Sequence, residues 1–196
     1  FCLHMKVLPI LGEMEDRGVL VDAVKLREVG ERLSLQASEI RETILERSGS
    51  LIKNPNSHPQ VRKYMIKNLG KNFTYVKTKK GLPSTSRRVM DKRSSELPLV
   101  KYILLYRQWT KLVGTYVEGL SASLDGEGRS HTEFSQVGTD TGRLASKNPN
   151  HQNIPKRSPE GLEVRRCFIP KAGWKLIVAD KDQIELRLLA EESQEP

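Results

Sequence analysis

The apolar residues of this chain change period beyond residue 128, and that change constrains the fold more than any other feature. Leu26, Val29, Leu33, Ala37, Ile40 and Ile44 recur at intervals of three and four, the spacing that gathers side chains on one face of an α-helix. Asp22 can cap the start of that helix and Gly49 closes it; its stripe predicts core or helix-pairing surface. Val7, Ile10, Leu11 and Met14 repeat the pattern with Gly18 as a stop. Ser57-His58-Pro59-Gln60 predicts a capping box, with Ser57 bonding the Gln60 amide and the Gln60 side chain reaching back, then a short helix to Leu69 ended by Gly70. Residues 71–86, with Gly81, Pro83 and Ser84 to Ser86, predict a basic loop. Leu97-Pro98 opens one long helix through Leu120, since Pro is tolerated where its missing N–H would be unpaired. Arg107 and Lys111 are four apart and so share a face beside Tyr102, Leu105, Leu112 and Tyr116.

Asp125-Gly126-Glu127-Gly128 predicts a turn and the boundary between a helical region, 1–125, and a second region, 126–196. Beyond it the period shortens. Arg129 to Phe134 alternates like a strand, Val164 to Ile169 predicts another, and Trp174 to Ala179 a largely buried strand that delivers Asp180 at its end. Gln183 to Glu192 returns to helical spacing through Ile184, Leu186, Leu188 and Leu189. The fold class expected is α+β.

Charge is the second constraint. Of 33 basic and 24 acidic residues, residues 50–115 hold 15 basic and 2 acidic, a surplus of 13 in a chain whose net charge is +9. Such a segment calls for a polyanion, and nucleic acid leads: phosphate contacts release counterions and give salt-dependent binding with little sequence preference. A solvated basic surface is the plainer alternative. No apolar run approaches the roughly 18 residues of a membrane span, no secretion pattern opens the chain, and Cys2 and Cys167 match no metal or redox spacing. An intracellular, cytoplasmic or nucleoid-associated protein with reduced thiols and no membrane partner is expected.

Two segments carry candidate chemistry. Asp180 at a strand end, followed by Lys181-Asp182-Gln183-Ile184-Glu185, is placed to hold Mg²⁺, which takes one or two protein oxygens and fills its shell with water and phosphate. Two-metal phosphoryl transfer needs acidic ligands from a further segment, and Asp180 or Asp182 can equally cap the following helix. Gly138 to Ser146 sets Arg143 among small hydroxyl residues, and Asn148-Pro149-Asn150-His151-Gln152-Asn153-Ile154-Pro155 is rich in amides. Arg, Gln and Asn donate to minor-groove acceptors or sugar–phosphate edges, though Asn and Thr also bond their own backbone in turns.

In this order, Thr132-Glu133-Phe134, Thr139 to Ser146, Asn148 to Pro155 and Ala179-Asp180-Lys181-Asp182-Gln183-Ile184-Glu185-Leu186-Arg187 resemble the palm entry and motif A of family A DNA polymerases. Upstream, Met14 to Asp22 resembles the start of that family's thumb, Asn56-Ser57-His58-Pro59-Gln60-Val61 its Asn-Ser-Pro-Lys-Gln-Leu element, Gly81 to Thr85 its pre-helix loop, and Tyr106 to Leu112 with Thr115-Tyr116 its DNA-gripping thumb helix. The resemblance implies a mainly helical thumb followed by the first strands and motif A helix of an antiparallel palm sheet. It implies that Asp180 and the Lys181 backbone carbonyl face Mg²⁺ of a two-metal site, and that Glu185 excludes the ribose 2′-hydroxyl, with Gln183 and Ile184 beside the nucleotide. Arg143, Gln152, Asn153 and Arg157 would contact DNA near the primer terminus, Arg107 and Lys111 backbone phosphates, and Asn56 and Ser57 DNA as well.

Two departures from the family pattern stand out: Lys181-Asp182 replaces the usual Tyr-Ser, and Ala145 stands where Ser is common. The chain also stops just after motif A, without the fingers helix or the second aspartate motif. The expected function is therefore a fragment or split portion of a DNA-directed DNA polymerase, either a truncated product or one half of an enzyme completed by a second polypeptide carrying fingers and the rest of the palm. It would bind primer-template DNA, supply one metal-binding aspartate, and meet deoxynucleoside triphosphates in the complete enzyme; alone it is expected to be inactive. A noncatalytic duplex-binding module is the alternative, and an Asp-x-Asp glycosyltransferase site through Asp180 and Asp182 is a distant third.

Overall fold

The apolar stripe of the second helix organises the molecule. In a computed structural model describing residues 2–73 and 76–194, α1 (Cys2–Arg17) leads through β1 (Val19–Leu20) into α2 (Ala23–Arg47). Asp22 Oδ1 accepts from the Lys25 amide at 3.0 Å, supplying the expected cap. Leu26, Val29, Leu33 and Ala37 bury into one core cluster with Trp109, Leu112, Val117, Leu120, Val164 and Cys167. Ile44 enters a second cluster with Ile52, Val61, Met65, Phe73, Met90, Val100 and Ile103. Ile40 and Tyr106 pack against both.

The elements that fill these clusters are α3 (His58–Leu69), a 3₁₀ turn (Gly70–Phe73), α4 (Arg87–Asp91) and α5 (Leu99–Leu112). The expected capping box does not form: Gln60 Oε1 instead accepts from the Asn54 amide at 2.9 Å, and Ser57 makes no side-chain cap bond. Of the expected loop 71–86, Thr74 and Tyr75 lie outside the described residues; Thr78 N–H donates to Leu82 O at 2.7 Å, closing a small basic hairpin over Gly81. The long helix forms, but not uniformly. After Leu112 it widens into a π-helical turn, Val113–Glu118, before α6 (Gly119–Ser121).

The antiparallel pairs come from both ends of the sequence. β2 (Arg129–Ser130) pairs with β1, and β3 (Glu133–Ser135) pairs with β4 (Ala145–Lys147). The strand expected over Arg129 to Phe134 is thus broken in two. Its middle residues are diverted: His131 bonds Glu15 O and Asp125, while the buried Thr132 hydroxyl bonds Ser146 Oγ at 2.6 Å and donates to Pro149 O at 2.7 Å. Asp125 Oδ1 accepts from Glu127 and Arg129 amides, both at 2.8 Å, forming the expected turn.

The strand expected at Val164 to Ile169 starts instead as the end of α7 (Pro159–Arg165), which takes in Val164 and Arg165, and Phe168 forms one antiparallel bridge to Val21. Ser158 Oγ accepts from Gly161 N at 3.1 Å with Pro159 beside it, a start signal that overrides the short apolar run. Only its end is strand-like: Ile169 N–H donates to Leu20 O, and Asp22 N–H to Cys167 O. The buried strand expected at Trp174 to Ala179 is not formed. Trp174, Leu176, Ile177 and Val178 are exposed, because neither two-stranded sheet reaches them to supply a ladder or a covering face. α8 (Ile184–Ser193) ends the described chain. The fold is α+β, with helices carrying the core and small antiparallel pairs at its edge.

Candidate nucleic-acid interface

Helix α5 and the π turn form one wall of a trough, and the amide-rich segment 149–158 forms the other. Its volume is about 1170 Å³, and its lining includes Lys111, Gln152, Asn153 and Arg157. The structure therefore brings together four of the DNA-contact residues expected from sequence. Arg87, Lys156 and Arg165 join them. Sequence reading missed these three as site residues, although Arg87 lies in the basic segment and Lys156 adjoins Arg157; Arg165 fell in the mistaken strand. Among the described residues, five cations and no carboxylate line the trough, so its potential favours a polyanion.

Local hydrogen bonds fix both walls. Glu160, in the first turn of α7, accepts from Gln108 Nε2 at 3.2 Å and Trp109 Nε1 at 3.1 Å, docking α7 on α5. Asn150 Oδ1 accepts from the Gln152 and Asn153 amides at 3.0 and 3.1 Å, the self-bonding turn that Asn favours. His151 is anchored by its amide to Ser146 Oγ at 3.0 Å, by Nε2 to Ser130 Oγ at 2.9 Å, and edge-on to Phe168. Burial, then the nearby charge of His131, lowers the His151 pKa. Tyr116 crosses from the helix and donates its hydroxyl hydrogen to Asn153 O; burial raises its pKa.

Arg107, Asn56 and Ser57 lie outside the trough lining. Arg107 is turned inward: Nε donates to Pro55 O and Nη1 to Thr85 O, both at 2.8 Å, while Nη2 is buried with no partner among the described residues. Burial lowers its pKa. In this geometry Arg107 braces two loops against α5. His58 Nδ1 meets the buried Thr85 hydroxyl at 2.5 Å, and burial followed by the charges of Arg107 and Arg62 lowers its pKa. Asn56 Nδ2 donates to Thr110 Oγ1 at 3.2 Å, and Ser57 N–H donates to Asn54 O.

The motif A candidates form a separate group. Arg143 Nη2 pairs with Glu185 Oε1 at 2.5 Å, both exposed, tying the 138–146 loop to the start of α8. Asp180, Lys181, Asp182 and Gln183 are exposed and Ile184 is half-buried. Neither aspartate caps α8; Gln183 occupies that position at φ +50° with no side-chain cap bond. No group of three or more His, Cys, Asp or Glu among the described residues is gathered to hold a metal. The described residues thus do not by themselves fit a complete Mg²⁺ site. No helix among the described residues is long and apolar enough to cross a membrane.

The family model for DNA polymerase family A matches residues 23–196. DNA polymerase I of Bacillus subtilis (strain 168) is 42% identical over 190 residues, covering 96% of this chain and 21% of that protein. DNA polymerase I of Chloroflexus aurantiacus is 38% identical over 192 residues, covering 96% of this chain and 20% of that protein. The chain therefore spans about a fifth of the length of the curated relatives it matches. A solved structure described as the POL domain of Pol1 from M. smegmatis in complex with DNA primer-template and dNTP superposes with TM-score 0.84 at 30% identity, covering 97% of this chain and 34% of that one.

Proposed function

The chain belongs to DNA polymerase family A, and on that premise we propose that it forms the duplex-gripping thumb and first palm portion of a DNA-directed DNA polymerase. The single observation carrying this reading is the cationic trough between α5 and the 149–158 segment. Lys111, Arg157, Lys156, Arg87 and Arg165 neutralise backbone phosphates there, releasing counterions. Gln152 and Asn153, on a turn fixed by Asn150, offer amides to the acceptors of a minor groove. Residues 1–125 act as the thumb and 126–196 as the palm entry, although the first core cluster runs across that boundary.

Asp180 and the Lys181 carbonyl are assigned to the metal side of the nucleotide site, and Glu185, with Gln183 and Ile184, to its sugar side. Divalent metal would neutralise charge on the transferring phosphate. Because no group of three or more His, Cys, Asp or Glu among the described residues is gathered to hold a metal, residues 1–196 by themselves are expected to bind primer-template without extending it. Deoxynucleoside triphosphates and the remainder of the palm and fingers, with a second aspartate, complete the activity, in an intracellular setting where the DNA lies.

Fluorescence anisotropy with a primer-template duplex tests the reading. Affinity should fall steeply with salt, and Lys111→Ala should flatten the slope of log Kd against log salt by about one unit. Supplying the remaining palm and fingers should then restore primer extension that Asp180→Ala abolishes. Salt-independent binding would remove the grip; salt-dependent binding without restored extension would leave a noncatalytic duplex-binding module.

A further inference from the structure

One side-chain hydroxyl joins the helical wall of the trough directly to the 150–153 turn, in addition to the Gln108 and Trp109 bonds that dock Glu160 on α5, and the path of the backbone explains how it gets there. In an uninterrupted α-helix, residues five apart such as Lys111 and Tyr116 point about 140° away from each other. The π turn at Val113–Glu118 replaces i→i+4 bonds with i→i+5 bonds, which takes back part of that angle, and both side chains line the trough. The opposite side of the same turn is locked. Val117 is buried against Gly30 of α2, where an added Cβ would lie 2.5 Å from Val117 Cγ1.

Across the trough, the bonds from Asn150 and His151 hold the 150–153 turn to its own neighbourhood in the second half of the chain. Tyr116 is different in kind: its bond to Asn153 O connects that turn to the helix carrying Lys111. The Gln152 and Asn153 side chains are exposed on the same turn.

We propose that Tyr116 is a positioning residue of the interface, whose hydroxyl sets the separation between Lys111 and the Gln152–Asn153 amides so that one duplex meets both walls at once. This rests on the DNA-binding reading above. Tyr116 itself need not touch DNA; it acts through the Asn153 carbonyl.

The test is a coupled set of anisotropy titrations on the full chain. Tyr116→Phe keeps the ring and its packing, which a melting curve verifies, and should weaken primer-template binding about fivefold, the loss of one net hydrogen bond. The salt slope should stay that of the wild type, because no phosphate contact is removed. In a Gln152→Ala/Asn153→Ala background the same substitution should cost almost nothing, because the groups it positions are gone. An equal loss in both backgrounds would mean a merely structural bond and overturn the proposal. So would undiminished binding by Tyr116→Phe while Lys111→Ala still flattens the salt slope, an outcome that leaves the DNA-binding reading standing. Absence of salt-dependent binding by the wild type would remove both.

Discussion

His131 joins parts of the chain that are more than a hundred residues apart: its Nδ1 meets Glu15 O at 2.7 Å and its Nε2 meets Asp125 Oδ2 at 3.0 Å. The Asp125 bond, then the Glu15 carbonyl, raises the His131 pKa above 6.5, while the His131 bond and the Arg129 amide hold Asp125 at about 2. A raised histidine pKa means that the protonated form favours the fold; that contribution is complete below pH 6.5 and lost as pH rises through the folded value. Asp125 contributes above its ordinary 3.8 and ceases to as pH falls toward 2. His151 and His58 are lowered and act oppositely, favouring the fold as they become neutral. The expected outcome is that His131→Gln lowers the melting temperature at pH 5 to 6 and that its deficit against wild type shrinks by pH 8. Melts across that range check it, and a deficit that grows with pH would contradict the assignment. At this scale the sequence was partly legible. Spacing placed Arg107 and Lys111 on one face of α5, but only the folded loops decide that Arg107 meets Pro55 O and Thr85 O while Lys111 faces the trough. Those partners lie 52 and 22 residues away, beyond any local pattern.

Helix α2 and the π turn pack at a point where one side chain has been left out. Gly30 is fully within the helix and buried, where Ala would ordinarily stabilise by about 1 kcal/mol. Here the added Cβ would stand 2.5 Å from the branched and buried Val117 side chain, and overpacking of that kind costs about 1–3 kcal/mol. The clash should win: Gly30→Ala is expected to destabilise by about 1 kcal/mol net, measured by urea unfolding, and adding Val117→Ala should recover part of that loss. A stabilised Gly30→Ala would show that the helices can separate freely. The 3.6-residue stripe made α2 and α5 readable because many residues repeat one message. The π turn was not readable, since Leu112 to Leu120 satisfies α and π spacing alike over so short a span. The broken strand at His131 and the strand expected at Val164 to Ile169 failed for a related reason: a six-residue pattern is outvoted by a helix begun upstream at Ser158-Pro159 or by buried hydroxyl bonds.

At the scale of the whole molecule, charge and apolar surface occupy separate segments. The surplus of positive charge lies in residues 50–115, which supply Arg87 and Lys111 of the trough, whereas Trp174, Leu176, Ile177 and Val178 are 72%, 57%, 90% and 85% exposed. Leu186, Leu188 and Leu189 of α8 are exposed nearby in sequence. The period of Trp174 to Ala179 marked a buried strand, and its composition still does: a run of Leu, Ile and Val with high β-propensity gains by pairing and loses by standing in water. What the sequence could not state is which ladder receives it, because a strand's partner is never encoded within the strand. An apolar segment left open in this way favours association between copies or with another strand-forming polypeptide. Light scattering should therefore show association that grows with concentration, and Ile177→Lys should suppress it by placing a charge in the 90% exposed position. Since Ile177 does not line the trough, the same variant should bind primer-template with the wild-type affinity and salt slope. Association unaffected by Ile177→Lys would locate the adhesive surface elsewhere, and the apolar α1 face bearing the exposed Met5 and Leu8 would become the next segment to charge.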